Sequence, residues 1–377
     1  TALCEGLTIY NPKGGSQLPG VAESWDISPD GLIYTFKLNK DAKWSNGDPV
    51  TADDFVWSWK RILTASLGSQ YPDMLYYVKN AESYHLGEID DFSKVGVKAI
   101  DDSTLEVELR SPTSFFIKLL HHYSTYPVHK ETVLKFGPID DRYGEWTRPG
   151  NFVCNGPFQL KSWELNKKIV VERNPFYWDA DEVKLNEMHF YPVQNESTED
   201  RMFRAGQLHV TNVVPLEKCP VYIEENNPNL RIEPYMGTYF YRTNTTIDAL
   251  KDKRVRKALA FAINRKQVVE RVSKCGQQPA YSFTPPGSDG YFPETSIPFD
   301  PDLAKTLLSE AGYPNGEGFP KLEILFNTQE GHRKIALAIQ QMWQENLGIE
   351  VELVNQDWKV YLSRERVGDF QISRAGW

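Results

Sequence analysis

What this chain lacks narrows its function before any motif is read. No run of roughly 18 apolar residues occurs, so no segment reads as a membrane-spanning helix; the stretches 115–120 and 258–263 are short and contain or adjoin charges. No block of Lys or Arg stands out, and the net charge is -9, which argues against a nucleic-acid binder with its basic face. Cys4, Cys154, Cys219 and Cys275 lie far apart and form no CxxC pair, so zinc-knuckle and thioredoxin-like motifs are absent. They read as isolated buried thiols rather than as a disulfide. There is no GxSxG, HExxH or GxxxxGK[ST], and no GxGxxG between a strand and a helix, so no enzyme motif is recognisable. Histidine is scarce. The adjacent His121 and His122 would point about 100° apart on a helix and form no metal pair by themselves. The carboxylate pairs Asp53-Asp54 and Asp140-Asp141 read as a helix cap and a solvated loop, not as catalytic dyads.

What is present is a long, aromatic-rich chain. Its 377 residues imply two or three domains of about 100 to 200 residues each. Ten Trp and nineteen Tyr fit either a large mixed core or binding surfaces that use their polar tips. Strands are expected at 7–10 and 34–38, the latter alternating after the Pro29-Asp30-Gly31 turn. Thr51, with Asp53 and Asp54, should cap a helix through Trp59 and Ile62. Two strands around Asp101-Asp102 fill 95–109, and a short helix follows at 114–121. The glycine- and proline-rich stretch 137–150 is a loop and a candidate boundary. Strands are then expected at 158–163, 169–173 and 187–192, a helix at 199–206, and a strand at 210–214. A second boundary falls near Pro234, followed by a strand at 238–244 and a long helix at 253–272 with Val255, Leu259, Ala262, Ile263 and Val269 on one stripe. Residues 322–327, 334–346 and 349–354 read as a β-α-β unit of a parallel sheet, followed by a strand at 370–374. With no initiator Met at Thr1 and a strand running up to Trp377, the natural protein is expected to extend past both ends.

Several stretches resemble the peptide-binding members of the extracellular solute-binding family 5. They are Cys4-Glu5-Gly6-Leu7; Pro19-Gly20-Val21-Ala22-Glu23-Ser24-Trp25; Lys43-Trp44-Ser45-Asn46-Gly47-Asp48-Pro49-Val50-Thr51-Ala52-Asp53-Asp54-Phe55; and Asn155-Gly156-Pro157-Phe158. Further on come Glu172-Arg173-Asn174-Pro175-Phe176-Tyr177-Trp178-Asp179, Arg254-Val255-Arg256, Tyr281-Ser282-Phe283-Thr284-Pro285-Pro286, Asn355-Gln356-Asp357-Trp358-Lys359 and Arg374-Ala375-Gly376-Trp377. The resemblance covers the whole chain in the family's order. It implies an α/β fold of the type II-like periplasmic binding proteins, two lobes with a hinge plus an inserted third domain. Residues 1–20 and 151–234 would form one lobe, 21–150 the inserted domain and 235–377 the other lobe, incomplete here.

The same resemblance implies a periplasmic or lipid-anchored component of an ABC importer, a monomer that holds short peptides and meets membrane permease and ATPase subunits, with no cofactor and no catalytic residue. Peptide-binding positions carried over are Glu5 on an early strand, Tyr71 as an aromatic lid, and Tyr239 and Tyr241 on a strand facing ligand. His332 could meet a carboxylate, although the residues alone allow a structural role. Trp358 would be an aromatic wall and Arg374 a carboxylate partner, while Gly376 and Trp377 begin the strand that pairs with peptide main chain. There are departures. Glu365, between Arg364 and Arg366, stands where relatives keep an arginine, which would shift carboxylate capture or the preferred peptide length; Gly237 stands where relatives have a paired cysteine; and the aspartate that meets the peptide amino group would lie past Trp377. Competing readings are a same-fold binder of nickel chelates, heme or sugars, and a hydrolase or chaperone-like protein with no motif in its favour.

Overall fold

The computed structural model describes residues 2–13, 16–288 and 290–377. The chain divides into two compact units, Thr1–Pro192 and Val193–Trp377.

Period-two alternation builds the first unit. β1 (Ala22–Ile27) and β2 (Ile33–Leu38) form a hairpin at the expected turn, where Gly31 takes φ +71° and Asp30 Oδ1 accepts from the Leu32 amide at 3.1 Å. α1 (Ala52–Leu63) follows, then β3 (Val97–Asp101) and β4 (Thr104–Glu108). The four strands make an antiparallel sheet in the order β1-β2-β4-β3. Tyr34 pairs with Val107 and Phe36 with Leu105, so all four side chains share one face and are buried. Phe55, Trp59 and Leu63 of α1 join the same apolar core, each such side chain contributing roughly 1.5–3 kcal/mol by leaving water.

The start of α1 is as the sequence indicated. The Thr51 amide donates to Asp54 Oδ2 at 2.8 Å, and Trp44 Nε1 donates to the same oxygen at 3.3 Å. The expected strand at 7–10 shrinks to Thr8–Ile9, paired with Leu18–Pro19, and the helix at 114–121 to one turn, Phe116–Leu119. β5 (Phe158–Glu164), β6 (Lys168–Arg173) and β7 (Glu187–Phe190) form a separate antiparallel sheet in chain order.

The second unit opens with α2 (Glu196–Arg204), which begins three residues earlier than expected because Asn195 caps it, its Oδ1 accepting from the Thr198 amide at 2.8 Å. No strand forms at 210–214: Val210 is exposed, and the Asn212 amide donates to Glu199 Oε1 at 2.8 Å instead of to a ladder. α3 (Cys219–Glu224) and β8 (Tyr239–Thr243) come next. The long helix expected at 253–272 is broken. α4 (Lys253–Phe261) stops where Arg265 Nη1 reaches back to the carbonyls of Ala260 (3.1 Å) and Ile263 (3.3 Å), and Asn264 Oδ1 caps a new start by accepting from the Gln267 amide at 3.0 Å. The chain continues as a π-helical turn, Val268–Ser273. α5 (Pro301–Glu310), β9 (Leu322–Asn327), α6 (Glu330–Leu347), β10 (Val351–Gln356), α7 (Trp358–Arg366) and β11 (Ile372–Gly376) complete it.

The second sheet has the order β8-β11-β9-β10; β8 and β11 are antiparallel, while β11, β9 and β10 run parallel. β9-α6-β10 is the expected β-α-β unit. Ile324, Ile372 and Tyr241 pack into one apolar core with α4, α5 and α6, whereas α7 packs against the sheet's other face.

The cysteines need a correction. Cys219 and Cys275 form a disulfide, with Cα atoms 5.5 Å apart and 56 positions apart in sequence; spacing alone gave no sign that α3 lies beside the turn after the π-helical segment. Cys4 and Cys154 are free thiols, and burial pushes them up to about 12 and about 11, so both stay protonated at neutral pH.

Close packing makes one glycine decisive. A Cβ on Gly156 would lie 2.7 Å from the Leu3 carbonyl carbon and 2.8 Å from the Cys4 amide nitrogen, and backbone cannot swing aside. Gly156→Ala should therefore lower stability in urea by about 1–3 kcal/mol. Gly331→Ala, whose Cβ would meet only Leu216 Cδ1 at 3.6 Å, should stay within about 0.5 kcal/mol of the parent.

Candidate functional site

In the second unit the pairing of β8 with β11 sets Tyr241 opposite Arg374 and Tyr239 opposite Gly376. Cross-strand partners share a face, so both tyrosines and the arginine project together, and His332 from the first turn of α6 meets them. The Tyr239 ring lies 5.9 Å from the Tyr241 ring and 5.5 Å from the His332 ring, with Tyr239 Oη 3.4 Å from His332 Nδ1. The Arg374 guanidinium carbon sits 5.1 Å from the Tyr239 centroid, and Arg374 Nη1 donates to Asn327 Oδ1 at 3.2 Å.

The electrostatics of this cluster are one-sided. Among the described residues Arg374 has no carboxylate partner, and both Arg374 Nε and Tyr241 Oη are buried without a hydrogen bond. His332 is 7% exposed, and burial together with the neighbouring Arg374 charge pushes its pKa down to about 3, so the ring is neutral at pH 7. Burial raises the hydroxyls of Tyr239 and Tyr241 above the ordinary tyrosine value. An unpaired buried donor costs about 1–3 kcal/mol, and a cation out of water asks for an anion. The cluster is thus a positive charge with neutral polar groups around it, complementary in charge to an anion such as a carboxylate.

The strand pairing beside it is uneven. β11 pairs with β9 at Ile372 and Ser373, while on its other side it pairs with β8 through Gly376, and Trp377 exchanges hydrogen bonds with Thr238 at 2.7 and 3.0 Å. Past Ser373 the ladder between β11 and β9 ends, although β9 itself runs on through Phe326 to Asn327.

Trp358 stands apart from the cluster: half-exposed at the start of α7, it stacks on Tyr361 with centroids 5.5 Å apart, and the Tyr361 hydroxyl donates to the Arg374 carbonyl. Glu365 faces away from the Arg374 side chain. It is ion-paired with Arg242 and accepts from Ser373 Oγ at 2.6 Å, and Arg242 and Ser373 pair across the opposite face of the sheet. Arg364 is engaged by Asp369 at 2.8 Å and Glu323 at 3.5 Å.

Two of the sequence-picked residues belong to the first unit. Tyr71 meets His122 and Tyr123 edge-on at 5.2 and 5.9 Å and lines a cleft of about 370 Å³ with Arg61, Arg142 and Trp146. Glu5 is buried at a polar hub. Its two carboxylate oxygens accept from Tyr177 Oη and Trp178 Nε1, each at 2.8 Å, and its main chain is clasped by Asn155, which accepts from the Glu5 amide and donates to the Glu5 carbonyl at 3.0 Å. Asn174 Nδ2 donates to the Gly156 carbonyl at 2.9 Å, binding two of the quoted blocks together. Burial raises the Glu5 carboxyl to about 7, against the pull of those two donors.

Sequence reasoning passed over Asn327, Tyr361, Tyr177 and Trp178. Tyr361 carried a readable signal, three residues after Trp358 on a helix and so on the same face. Asn327 carried none, because its role depends on the register of β9 against β11. Among the described residues there is no group of three or more His, Cys, Asp or Glu placed to hold a metal, and no helix is long and apolar enough to cross a membrane.

The chain matches the model for bacterial extracellular solute-binding proteins, family 5, over residues 17–377. It is 40% identical over 389 residues to the periplasmic oligopeptide-binding protein OppA of Escherichia coli (strain K12), an alignment covering 100% of this chain and 69% of that protein. Among solved structures it is similar to the Escherichia coli murein tripeptide binding protein MppA, with a TM-score of 0.91 and 38% identity over 100% of this chain and 73% of that one. It is also similar to Haemophilus influenzae OppA in complex with the peptide RPPGFSPFR, with a TM-score of 0.89 and 35% identity over 100% and 74%. The α/β fold expected from the sequence is the fold of these periplasmic binding proteins.

The raised Glu5 carboxyl has a measurable sign. Its pKa is about 4.5 in an ordinary setting and about 7 here, so the native state holds a proton that the unfolded chain releases. That contribution to stability is complete below pH 4.5 and is lost as pH rises through 7. The urea midpoint of the parent relative to Glu5→Gln should therefore fall between pH 5 and pH 8; a constant offset would mean Glu5 titrates normally.

Proposed function

The chain belongs to the bacterial extracellular solute-binding proteins of family 5, and from that premise we propose that it is the substrate-binding component of an ABC peptide importer. It acts outside the cytoplasmic membrane as a monomer, holds short peptides in a cleft, and delivers them to permease and ATPase subunits. In this reading residues 1–20 and 151–234 form one lobe, 21–150 an inserted domain and 235–377 the second lobe, so that 193–234, which cluster by contacts with the second unit, count with the first lobe. Binding and release need no covalent chemistry and no cofactor.

The observation that carries the proposal is the Tyr239–His332–Arg374 cluster, a half-buried guanidinium with a buried, unpartnered Nε and, among the described residues, no ion-paired acid. A peptide adding to β11 past the end of its ladder with β9, along Arg374, Gly376 and Trp377, pairs its main chain there regardless of side-chain sequence. Its terminal carboxylate then meets Arg374, with neutral His332 as a further donor, and Tyr241 adds a hydroxyl beside that of Tyr239. Trp358 and Tyr71 offer aromatic surface to ligand side chains. Glu5 enters as the support that fixes Tyr177 and Trp178, since both of its oxygens are taken.

Calorimetric titration with tri- to pentapeptides, as free acids and as C-terminal amides, tests this. A charged hydrogen bond of about 1.5–3 kcal/mol corresponds to roughly 10- to 100-fold tighter binding of the free acids. Arg374→Gln should bring acid and amide to the same affinity while leaving the thermal transition two-state. No heat across the whole panel would count against the peptide reading itself.

A further inference from the structure

The segment 193–238 is held to its unit in an unusual way. The apolar core of the second unit is built from residues of β8 onward, from Tyr241 to Ile372, and among the described residues none of 193–238 belongs to it. After α3 the chain runs without regular structure to β8, with Tyr235 and Met236 exposed. Its far end is tied by Thr238, which exchanges main-chain hydrogen bonds with Trp377 and donates from its hydroxyl to the Phe283 carbonyl at 2.6 Å, and Ile232 lies close to Gly276; before that, two attachments stand out. One is the disulfide from buried Cys219 to half-buried Cys275. The other is a set of light contacts at the start of α6: Lys334 Nζ lies 3.5 Å from Glu217 Oε2, Leu216 Cδ1 lies 3.6 Å from where a Cβ on Gly331 would be, and Glu196 lies near Gln329. A half-exposed ion pair is a weak anchor, so the covalent bond is the strong one. That first turn also carries His332, which is turned toward Tyr239 and Arg374.

We propose that Cys219 and Cys275 are positioning residues for the carboxylate-receiving cluster: their bond clamps the 193–238 strap onto the first turn of α6, and reduction by a dithiol releases the strap and opens His332 to water. In that step one thiolate of the dithiol attacks a protein sulfur, entering most readily at Cys275, and forms a mixed disulfide. The second dithiol sulfur displaces the remaining protein sulfur. The protein disulfide takes up two electrons and two protons as two thiols, and the dithiol leaves as a cyclic disulfide. The groups around His332 are Arg374 and Tyr239 from the sheet, Glu330 and Lys334 on its own helix, and Glu196 and Glu217 on the strap near Lys334. Lifting the strap hydrates the ring and takes two carboxylates away from Lys334. The consequence for ligand rests on the cluster being the peptide site; the release of the strap does not.

Two readouts on the full chain decide the matter. Hydrogen exchange, with the wild type before and after dithiothreitol and with Cys219→Ser/Cys275→Ser, should show amides of α2 and α3 exchanging at least tenfold faster while β9 and β11 keep their protection. Ring NMR of His332 should show its titration moving up from about 3 toward the ordinary 6.5. Unchanged exchange in α2 and α3 overturns the proposal. Equal loosening of β9 and β11 also overturns it, because the bond would then be a general stabiliser. With a peptide that binds the wild type, dissociation should be at least fivefold faster from the reduced protein, and equal rates would overturn the effect on ligand. If no peptide binds, the peptide reading fails, and the exchange and titration results still judge the clamp.

Discussion

The antiparallel register of β8 against β11 is the constraint on which the second unit's chemistry depends. Because side chains alternate along a strand, pairing Tyr241 with Arg374 and Arg242 with Ser373 sorts four polar groups onto two faces at once. The tyrosines and Arg374 point toward α6 and His332, and Arg242 and Ser373 point toward α7 and Glu365. A slip of one residue would bury the Arg242–Glu365 pair where the cluster now stands and put Arg374 among the residues of α7. The apolar side chains enforce the register: Ile324 and Ile372 must share the face that α4, α5 and α6 cover. Core packing therefore determines where a charge with no partner ends up.

A comparable division of labour runs through the first unit. The blocks that carry the family resemblance most clearly bind mainly to each other. Trp44 reaches Asp54, Asn155 clasps Glu5, Asn174 holds the Gly156 carbonyl, and Tyr177 and Trp178 share the Glu5 carboxylate. These are buried polar groups in saturated hydrogen-bond networks, which specify one arrangement because every alternative leaves a donor or acceptor bare. Such residues hold a scaffold, and their presence in a motif is weak information about what the scaffold binds.

That bears on how much was legible beforehand. The alternation of Tyr34, Phe36 and Leu38, the cap at Thr51 and the unit 322–354 could be read locally, since each depends on neighbours within a few residues. The break after Phe261 could not, because an apolar stripe continued through Ala262 and Ile263 and outweighed the capping power of Asn264. Val210 and its neighbours had strand propensity but no partner strand, and propensity without a partner makes no ladder. The Cys219–Cys275 bond and the Asn327–Arg374 contact join residues 56 and 47 positions apart, and only the assembled sheet and helices bring them together. Among the candidate site residues, the strand-borne tyrosines and Arg374 were picked out by the resemblance, and the strand register brings them together. The saturation of Glu5 and the opposite-face placement of Glu365 required coordinates.

The neutrality of His332 has one more implication. A guanidinium stays charged throughout the accessible pH range, and an imidazole pushed down to about 3 does not acquire a proton in mildly acid surroundings. From about pH 4 to pH 8 the imidazole accordingly adds no charge beside Arg374. The charge state of the cluster is thereby decoupled from mild changes in acidity: burial beside a guanidinium removes the one imidazole that could have made it respond.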